Sequence, residues 1–284
     1  MNMQWLLVDT PKSAKRSAEY IQNASLLAID TEYDSFRYFR EKLCLIQVFT
    51  SGITLIIDPT VGLDLSFLAW PLKNKSVVKI MHAADNDIRL LKRDYGFEFE
   101  NIFDTHRAAM LLGYRQLSLE TIVREFLNIE LNKSKKVQRS RWDLRPLTDT
   151  QLAYAVQDVT VLPALYEKQL AALKEQGLET AATDAFAKIA ACCWQERNFD
   201  RRGYTRIKGF CAMDNRRKEL LKKLYLWRFE KARETDCAIF MLLPDDKLAE
   251  LVQNRGNARE ILSPEKYRRY GSDLELILGQ DTNG

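Results

Sequence analysis

Hydrophobic positions follow two rhythms along this chain. In the first third, short apolar runs at residues 5–9, 26–29, 43–49, 53–57 and 77–81 stand between polar or turn-forming residues and predict strands. The third and fourth runs are joined by Thr50-Ser51-Gly52, which predicts a hairpin with glycine supplying the turn. Asp58-Pro59 ends the fourth run, because proline brings no N–H to a ladder. Between the runs, helical spacing appears at 11–22, 64–73 and 85–95, the first opening on Pro11 and the last closing on Gly96.

Beyond Gly96 the helical rhythm dominates. Helices are predicted at 104–112 and 118–127, and 128–146 reads as a polar, basic loop. Thr148-Asp149-Thr150-Gln151 is a capping box opening one helix that runs to about Gln176, where Gly177 stops it. Another helix spans 179–197. The tail then reads as helices at 214–232, 245–253, 257–261, 264–270 and 274–278, with Ser263-Pro264 as an N-cap and first helical residue. Strands interleaved with helices, then helices alone, predict an α/β domain followed by a small all-α domain. The expected division is 1–197 (core 1–175), a linker at 198–210 containing Gly203 and Gly209, and 211–284.

Composition narrows the class. With 284 residues, 46% apolar and 29% charged, the chain can bury a large core without disulfides or a structural metal. No run approaches 18 apolar residues and the start lacks a basic signal-like region, so no membrane association is expected. Five cysteines without paired spacing, and only His82 and His106, exclude His-rich metal sites and most zinc classes. A reducing, cytoplasmic setting follows. The net charge of +4 hides two basic segments. Residues 201–233 carry 12 basic and three acidic side chains, and 133–145 carry six and one. Such segments suit a polyanion, and a solvated helix face and loop account for them equally.

The candidate chemistry is acidic. Asp30-Thr31-Glu32 follows the run 26–29, and in a strand residues two apart share a face, so Asp30 and Glu32 aim two carboxylates at one place. Close like charges favour a cation between them, and oxygen donors favour Mg²⁺ or Mn²⁺. After the run 77–81 comes His82-Ala83-Ala84-Asp85-Asn86-Asp87. Asp85 suits the helix N-cap, which leaves Asp87 to point elsewhere. Tyr154 and Asp158, four apart, share a largely apolar helix face, where a carboxylate needs a partner or a metal. Taken singly, each has a plain structural account as a turn, a helix-dipole acid or a surface Tyr–Asp contact.

In this order, D-x-E on a strand, Asp at a strand-to-helix junction and Y-x-x-x-D on a later helix resemble the DEDDy branch of the DEDD 3′→5′ exonucleases. The flanking Leu43-Cys44-Leu45-Ile46-Gln47, Phe103-Asp104-Thr105 and Arg145-Pro146-Leu147 look like ribonuclease D over about residues 1–175. Trp227-Arg228, Lys231-Ala232-Arg233-Glu234 and the closing helices resemble a single helicase-and-RNase-D C-terminal (HRDC) domain, where family members often carry two. The resemblance implies a ribonuclease H-like fold with a mixed sheet and flanking helices. It implies hydrolysis of RNA from the 3′ end to nucleoside 5′-monophosphates, in tRNA 3′ processing or RNA turnover, with two divalent ions. Carried over by motif position, Asp30 bridges both ions, Glu32 and Asp158 hold the one that activates water, and Asp87 serves the leaving-group side. Tyr154 orients the water.

Thr31, His82, Lys133, Lys135, Lys136 and Arg145 are the candidate substrate contacts, the last four from a basic loop placed just before the metal-binding helix. Phe36, Tyr38 and Phe39 suit either base stacking or core packing. A DNA exonuclease of the same superfamily is the nearest alternative, since the metal site does not read the sugar. A non-catalytic RNA-binding adaptor is the other, disfavoured because all four carboxylates and Tyr154 are present. No hydrophobic stripe stands out as an interface, so a monomer is expected.

Overall fold

In the computed structural model, which describes residues 4–131, 134–196, 198–253 and 257–279, the chain divides into two units. Met1–Asp34 with Lys42–Gln195 form the first, and Ser35–Glu41 with Glu196–Gly284 the second. Among the described residues no helix is long and apolar enough to cross a membrane.

The first unit is built on a mixed sheet of β1 (Gln4–Val8), β2 (Leu26–Asp34), β3 (Lys42–Thr50), β4 (Ile53–Ile57), β5 (Val78–Met81) and β6 (Ile102–Asp104), ordered β1-β4-β3-β2-β5-β6. β2, β3 and β4 form an antiparallel core, while β1, β5 and β6 join in parallel at the two sides. Its helices are α1 (Pro11–Gln22), α2 (Ala69–Lys73), α3 (Asp85–Tyr95), α4 (Thr105–Leu111), α5 (Leu119–Leu127), α6 (Lys135–Gln138), α7 (Asp149–Thr160), α8 (Leu162–Glu175) and α9 (Glu179–Ala190).

Alternation along the strands divides the side chains between two faces. Leu27, Ile29, Ile46, Val48, Leu55 and Ile57 pack on one face with Ile21 of α1 and Ile88 and Leu91 of α3. Ala28, Ile80 and Phe103 pack on the other with Ile122 and Val123 of α5 and Leu162 and Leu165 of α8. On that second face, Leu45 and Ile56 meet Tyr154, Ala155 and Val156 of α7. A mixed sheet flanked by helices, then a helical unit, is the expected class.

The structure departs from the sequence reading where a local rule is outvoted. The helix expected to run unbroken to Gln176 is two, because Pro163 has no N–H to donate and its ring crowds the carbonyl one turn back. β6 is absent from the expected strands; three residues are too few to show a period. The predicted loop 128–146 contains α6, and Trp142 is 1% exposed with its indole donating to Gln138 O at 3.2 Å.

The second unit contains α10 (Asn215–Glu234), α11 (Ile239–Leu242), α12 (Asp245–Gln253), α13 (Ala258–Ile261) and α14 (Pro264–Gly279). Leu221 and Leu224 of α10, Leu251 of α12 and Leu274 of α14 form its core. α14 is continuous where two helices were expected. Its Gly271 is closely packed, since a Cβ there would lie 2.9 Å from the Tyr267 ring. The stretch 198–210 is not a free linker, since Ile207 is buried in this same core. Residues 35–41 also belong here. Phe36 lies 4.8 Å from Phe240 and Phe39 5.3 Å from Phe229, and Ala238 N donates to Arg37 O at 2.9 Å. Much of the positive charge in 201–233 is paired, in Arg206–Asp200, Arg217–Asp214, Lys222–Glu219, Arg228–Asp245, Lys231–Asp273 and Arg233–Glu230.

Candidate active site

β2 has nine residues, but β5 pairs only with Leu26, Leu27 and Ala28. Past Ala28 no described strand pairs with that edge, while β3 continues along the other from Asp30 to Asp34. This overrun puts Asp30-Thr31-Glu32 at an open strand end, where sites in α/β sheets form. By alternation Asp30 and Glu32 share Ala28's face, toward α7. Thr31 shares the face of Leu27 and Ile29, toward α3.

On α7, the Thr148 capping box forms as expected and fixes the helix start. Tyr154 and Asp158 lie on the sheet-facing side, 7% and 4% exposed. The Tyr154 hydroxyl bonds to Asp158. Burial first, then the charges of Asp158, Glu32 and Asp30, hold the phenol well above its ordinary pKa. Three carboxylates from two elements therefore bear on one hydroxyl. With its proton retained, Tyr154 is a donor that orients its neighbours.

Asp87 reaches the site from α3. The Thr31 hydroxyl donates to Asp87 Oδ1. Burial pushes the Asp87 carboxyl up to about 6; the Thr31 bond opposes this, and the charges of Asp104 and Asp85 add to it. The expected N-cap role of Asp85 is not what forms. Ala84 is the N-cap, and its N–H donates to Asp104 Oδ2 at 2.7 Å. Asp104 Oδ1 accepts from Arg107 N at 2.7 Å and so caps α4 as well. One fully buried carboxylate thus fixes the starts of both helices. Asp85 instead lies 3.5 Å from Arg107. The turn entering α3 holds Ala83 at φ 57°, a left-handed conformation uncommon for alanine.

The other sequence candidates divide. His82 is half-buried, its Nδ1 2.9 Å from Thr105 Oγ1. Thr105 gives its own proton to Met81 O, so Nδ1 is the donor to Thr105 and Nε2 the acceptor side of the ring. Thr31, read from the sequence as a substrate contact, spends its hydroxyl on Asp87. Arg145 is likewise taken up by the protein. Its guanidinium donates to Asp58, to Cys44 O and Trp142 O at 2.7 Å, and to Leu144 O at 2.9 Å. Those bonds use all five N–H groups, so none is left for a phosphate. Lys135 and Lys136 are exposed on α6, beside exposed Arg139. Arg141 is bound to Asp143 at 2.7 Å. Lys133 lies outside the described residues.

The family model for a 3′-5′ exonuclease matches residues 6–174, a span holding Asp30, Glu32, Asp87, Tyr154 and Asp158. The chain belongs to the 3′-5′ exonuclease family. An HRDC domain model matches residues 217–277 of the same exonuclease. The chain is 30% identical over 256 residues to an exosome complex component 10 homolog of Drosophila melanogaster, covering 88% of this chain and 28% of that relative. It spans at most a third of the length of the first relatives it matches. A ribonuclease D of Desulfotalea psychrophila is 28% identical, over 94% of this chain and 73% of its own. The crystal structure of Escherichia coli RNase D, an exoribonuclease involved in structured RNA processing, aligns with TM-score 0.70 and 26% identity, covering 99% and 76%. Brucella melitensis NrnC with bound Mg²⁺ shares the fold at TM-score 0.58 and 24% identity, over 76% of this chain and 98% of that one.

In kind, this exonuclease's donors fit a hard divalent cation: all are carboxylates, and three of them add their charge to the burial that holds Tyr154 above its ordinary value. Among the described residues no three His, Cys, Asp or Glu side chains are close enough together to enclose an ion. Asp30, Glu32 and Asp158 bear on Tyr154, and Asp87 is tied to them through Thr31 on the same strand end. Sequence reasoning missed Asp104. Its cap pattern before Arg107 was legible, but its second bond to Ala84 joins segments 20 residues apart.

Proposed function

We propose that this exonuclease is a 3′→5′ exoribonuclease that releases nucleoside 5′-monophosphates from an RNA 3′ end, with Mg²⁺ or Mn²⁺ held by Asp30, Glu32, Asp87 and Asp158. The observation that carries the reading is the convergence of Asp30, Glu32 and Asp158 on Tyr154 at the open end of β2. A bound divalent ion supplies charge stabilisation at a phosphoryl oxygen and a water of lowered pKa. The chain's own residues supply the rest. Tyr154 donates to Asp158 and orients what approaches it, and Thr31 fixes Asp87 against β2. Asp104 holds the β5-to-α3 turn in place. His82 follows β5 directly, its ring oriented by Thr105.

RNA is the substrate class supported by the ribonuclease D likeness over most of the chain. Purified protein shortens a 3′-hydroxyl RNA when Mg²⁺ or Mn²⁺ is present, chelator stops it, and added metal restores it. A matched DNA oligonucleotide is degraded more slowly. Equal or faster loss of the DNA would replace the ribonuclease reading with a deoxyribonuclease one.

The basic segment contributes backbone binding through Lys135 and Lys136. Replacing both with Ala weakens RNA affinity and flattens its dependence on salt, by about 0.7 in log–log slope for each phosphate no longer neutralised. Titrations from low to moderate salt measure this. An unchanged slope would remove α6 from the binding surface.

A further inference from the structure

Gln47 lies on β3 directly opposite Asp30 of β2. Residues paired across an antiparallel ladder share a face, with Cβ atoms about 4.5–5.5 Å apart. The Gln47 side chain therefore stands beside Asp30, under α7. It is fully buried, and neither its Nε2 nor its Oε1 has a hydrogen-bond partner among the described residues. Apolar side chains flank it on that face, with Ala28, Leu45 and Ile56 at 0% exposure. Two unsatisfied amide atoms in such a place are destabilising, and an aliphatic side chain of similar size would remove the penalty.

A polar neighbour on the same face is in the same state. Thr54 of β4 is also fully buried, and its Oγ1 has no partner among the described residues. β3 pairs Phe49 with Thr54 and Gln47 with Ile56, which makes Thr54 the diagonal same-face neighbour of Gln47. Diagonal neighbours lie within reach of a long side chain. Asp30, Gln47 and Thr54 thus form a polar row across three adjacent strands. Its polarity has one consistent order. An ionised carboxylate only accepts, a hydroxyl can donate, and an amide does both.

We propose that Gln47 is a positioning residue for Asp30. Through one bridging water each, Nε2–H donates toward the Asp30 carboxylate and Oε1 accepts from the side of the Thr54 hydroxyl. The inference rests on the cation site proposed above, whose carboxylate ligands need such outer partners to be held in a productive orientation.

Mn²⁺ affinity by calorimetry, metal-free melting temperature and kcat against KM are measured for the wild type, Gln47→Met and Asp30→Asn. Gln47→Met melts at or above the wild type without metal, binds Mn²⁺ about 10-fold or more weakly, and loses kcat with little change in KM for RNA. Mn²⁺ affinity within twofold of wild type would overturn the inference, whatever the melting temperature. A wild type that binds no Mn²⁺, or an Asp30→Asn variant that binds it equally well, would overturn the cation site itself, a different result. A measurement on the wild type alone guards against a variant that does not fold. Adding Mg²⁺ shifts the Gln47 side-chain amide resonances and slows their hydrogen exchange; unmoved resonances would overturn the proposal.

Discussion

Asp30→Asn lowers the rate of RNA shortening by at least about 10³-fold and leaves the protein folded. Losing a carboxylate that bears on the reacting centre removes several kcal/mol of charge stabilisation, at about 1.4 kcal/mol per decade of rate. The fold is spared for a local reason. Asp30 Oδ1 accepts from Thr31 N at 2.9 Å, and an asparagine oxygen accepts the same bond. The variant also relieves repulsion among Asp30, Glu32 and Asp158, so its metal-free melting temperature is equal to or above the wild type. Single-turnover rates beside thermal melts check both halves. Asp87→Asn behaves similarly, whereas Asp85→Asn stays within a few-fold of wild type, because Asp85 is engaged with Arg107 rather than Thr31.

Arg145→Ala destabilises the first unit by about 3–5 kcal/mol, the usual loss when one partner of a buried pair is removed. Asp58 is 2% exposed and would be left as an uncompensated charge, while Cys44 O and Trp142 O lose their donor. Arg145→Lys does not restore it, since an ammonium cannot reproduce the forked geometry. Asp58→Asn combined with Arg145→Met recovers part of the loss by removing both charges. The pH dependence has a definite sign. Burial works to raise the Asp58 carboxyl, but hydrogen bonds from Arg145 and Thr60 outweigh it and hold the pKa below its ordinary value. The pair's stabilisation is therefore complete above about pH 4, the unfolded value, and is lost as pH falls through the depressed folded value. The stability gap between wild type and Arg145→Ala, measured in denaturant at pH 7 and again near pH 3, narrows in acid.

Arg145 also marks where the sequence stops being legible. Its basic character and its place in a polar stretch pointed to phosphate, but its partner Asp58 is 87 residues away, and no local pattern shows that. The same holds for Asp104 at the end of β6 and Ala84 in the turn between β5 and α3, bonded across 20 residues of chain. By contrast, the side-by-side placement of Asp30 and Glu32 follows from strand period alone. The Tyr154–Asp158 face follows from helix period, and the start of α7 from its capping box. Local signals failed where they were too short or too ambiguous. β6 has three residues. The two closing helices expected at 264–270 and 274–278 are one, and the packing of Gly271 against the Tyr267 ring is not visible in sequence. For Phe36 and Phe39 the sequence left base stacking and core packing open, and they pack on Phe240 and Phe229 of the helical unit, partners far along the chain.

The central claim is that the carboxylates gathered at the end of β2 remove nucleotides from an RNA 3′ end. A single-stranded RNA carrying a label at its 5′ end, incubated with the wild-type protein and Mg²⁺, tests it most directly. The predicted result is a ladder of shortening products that keep the label, with nucleoside 5′-monophosphates as the released species, and no ladder from Asp30→Asn. Release of the label as a mononucleotide at the earliest times, or an equal ladder from Asp30→Asn, would contradict it.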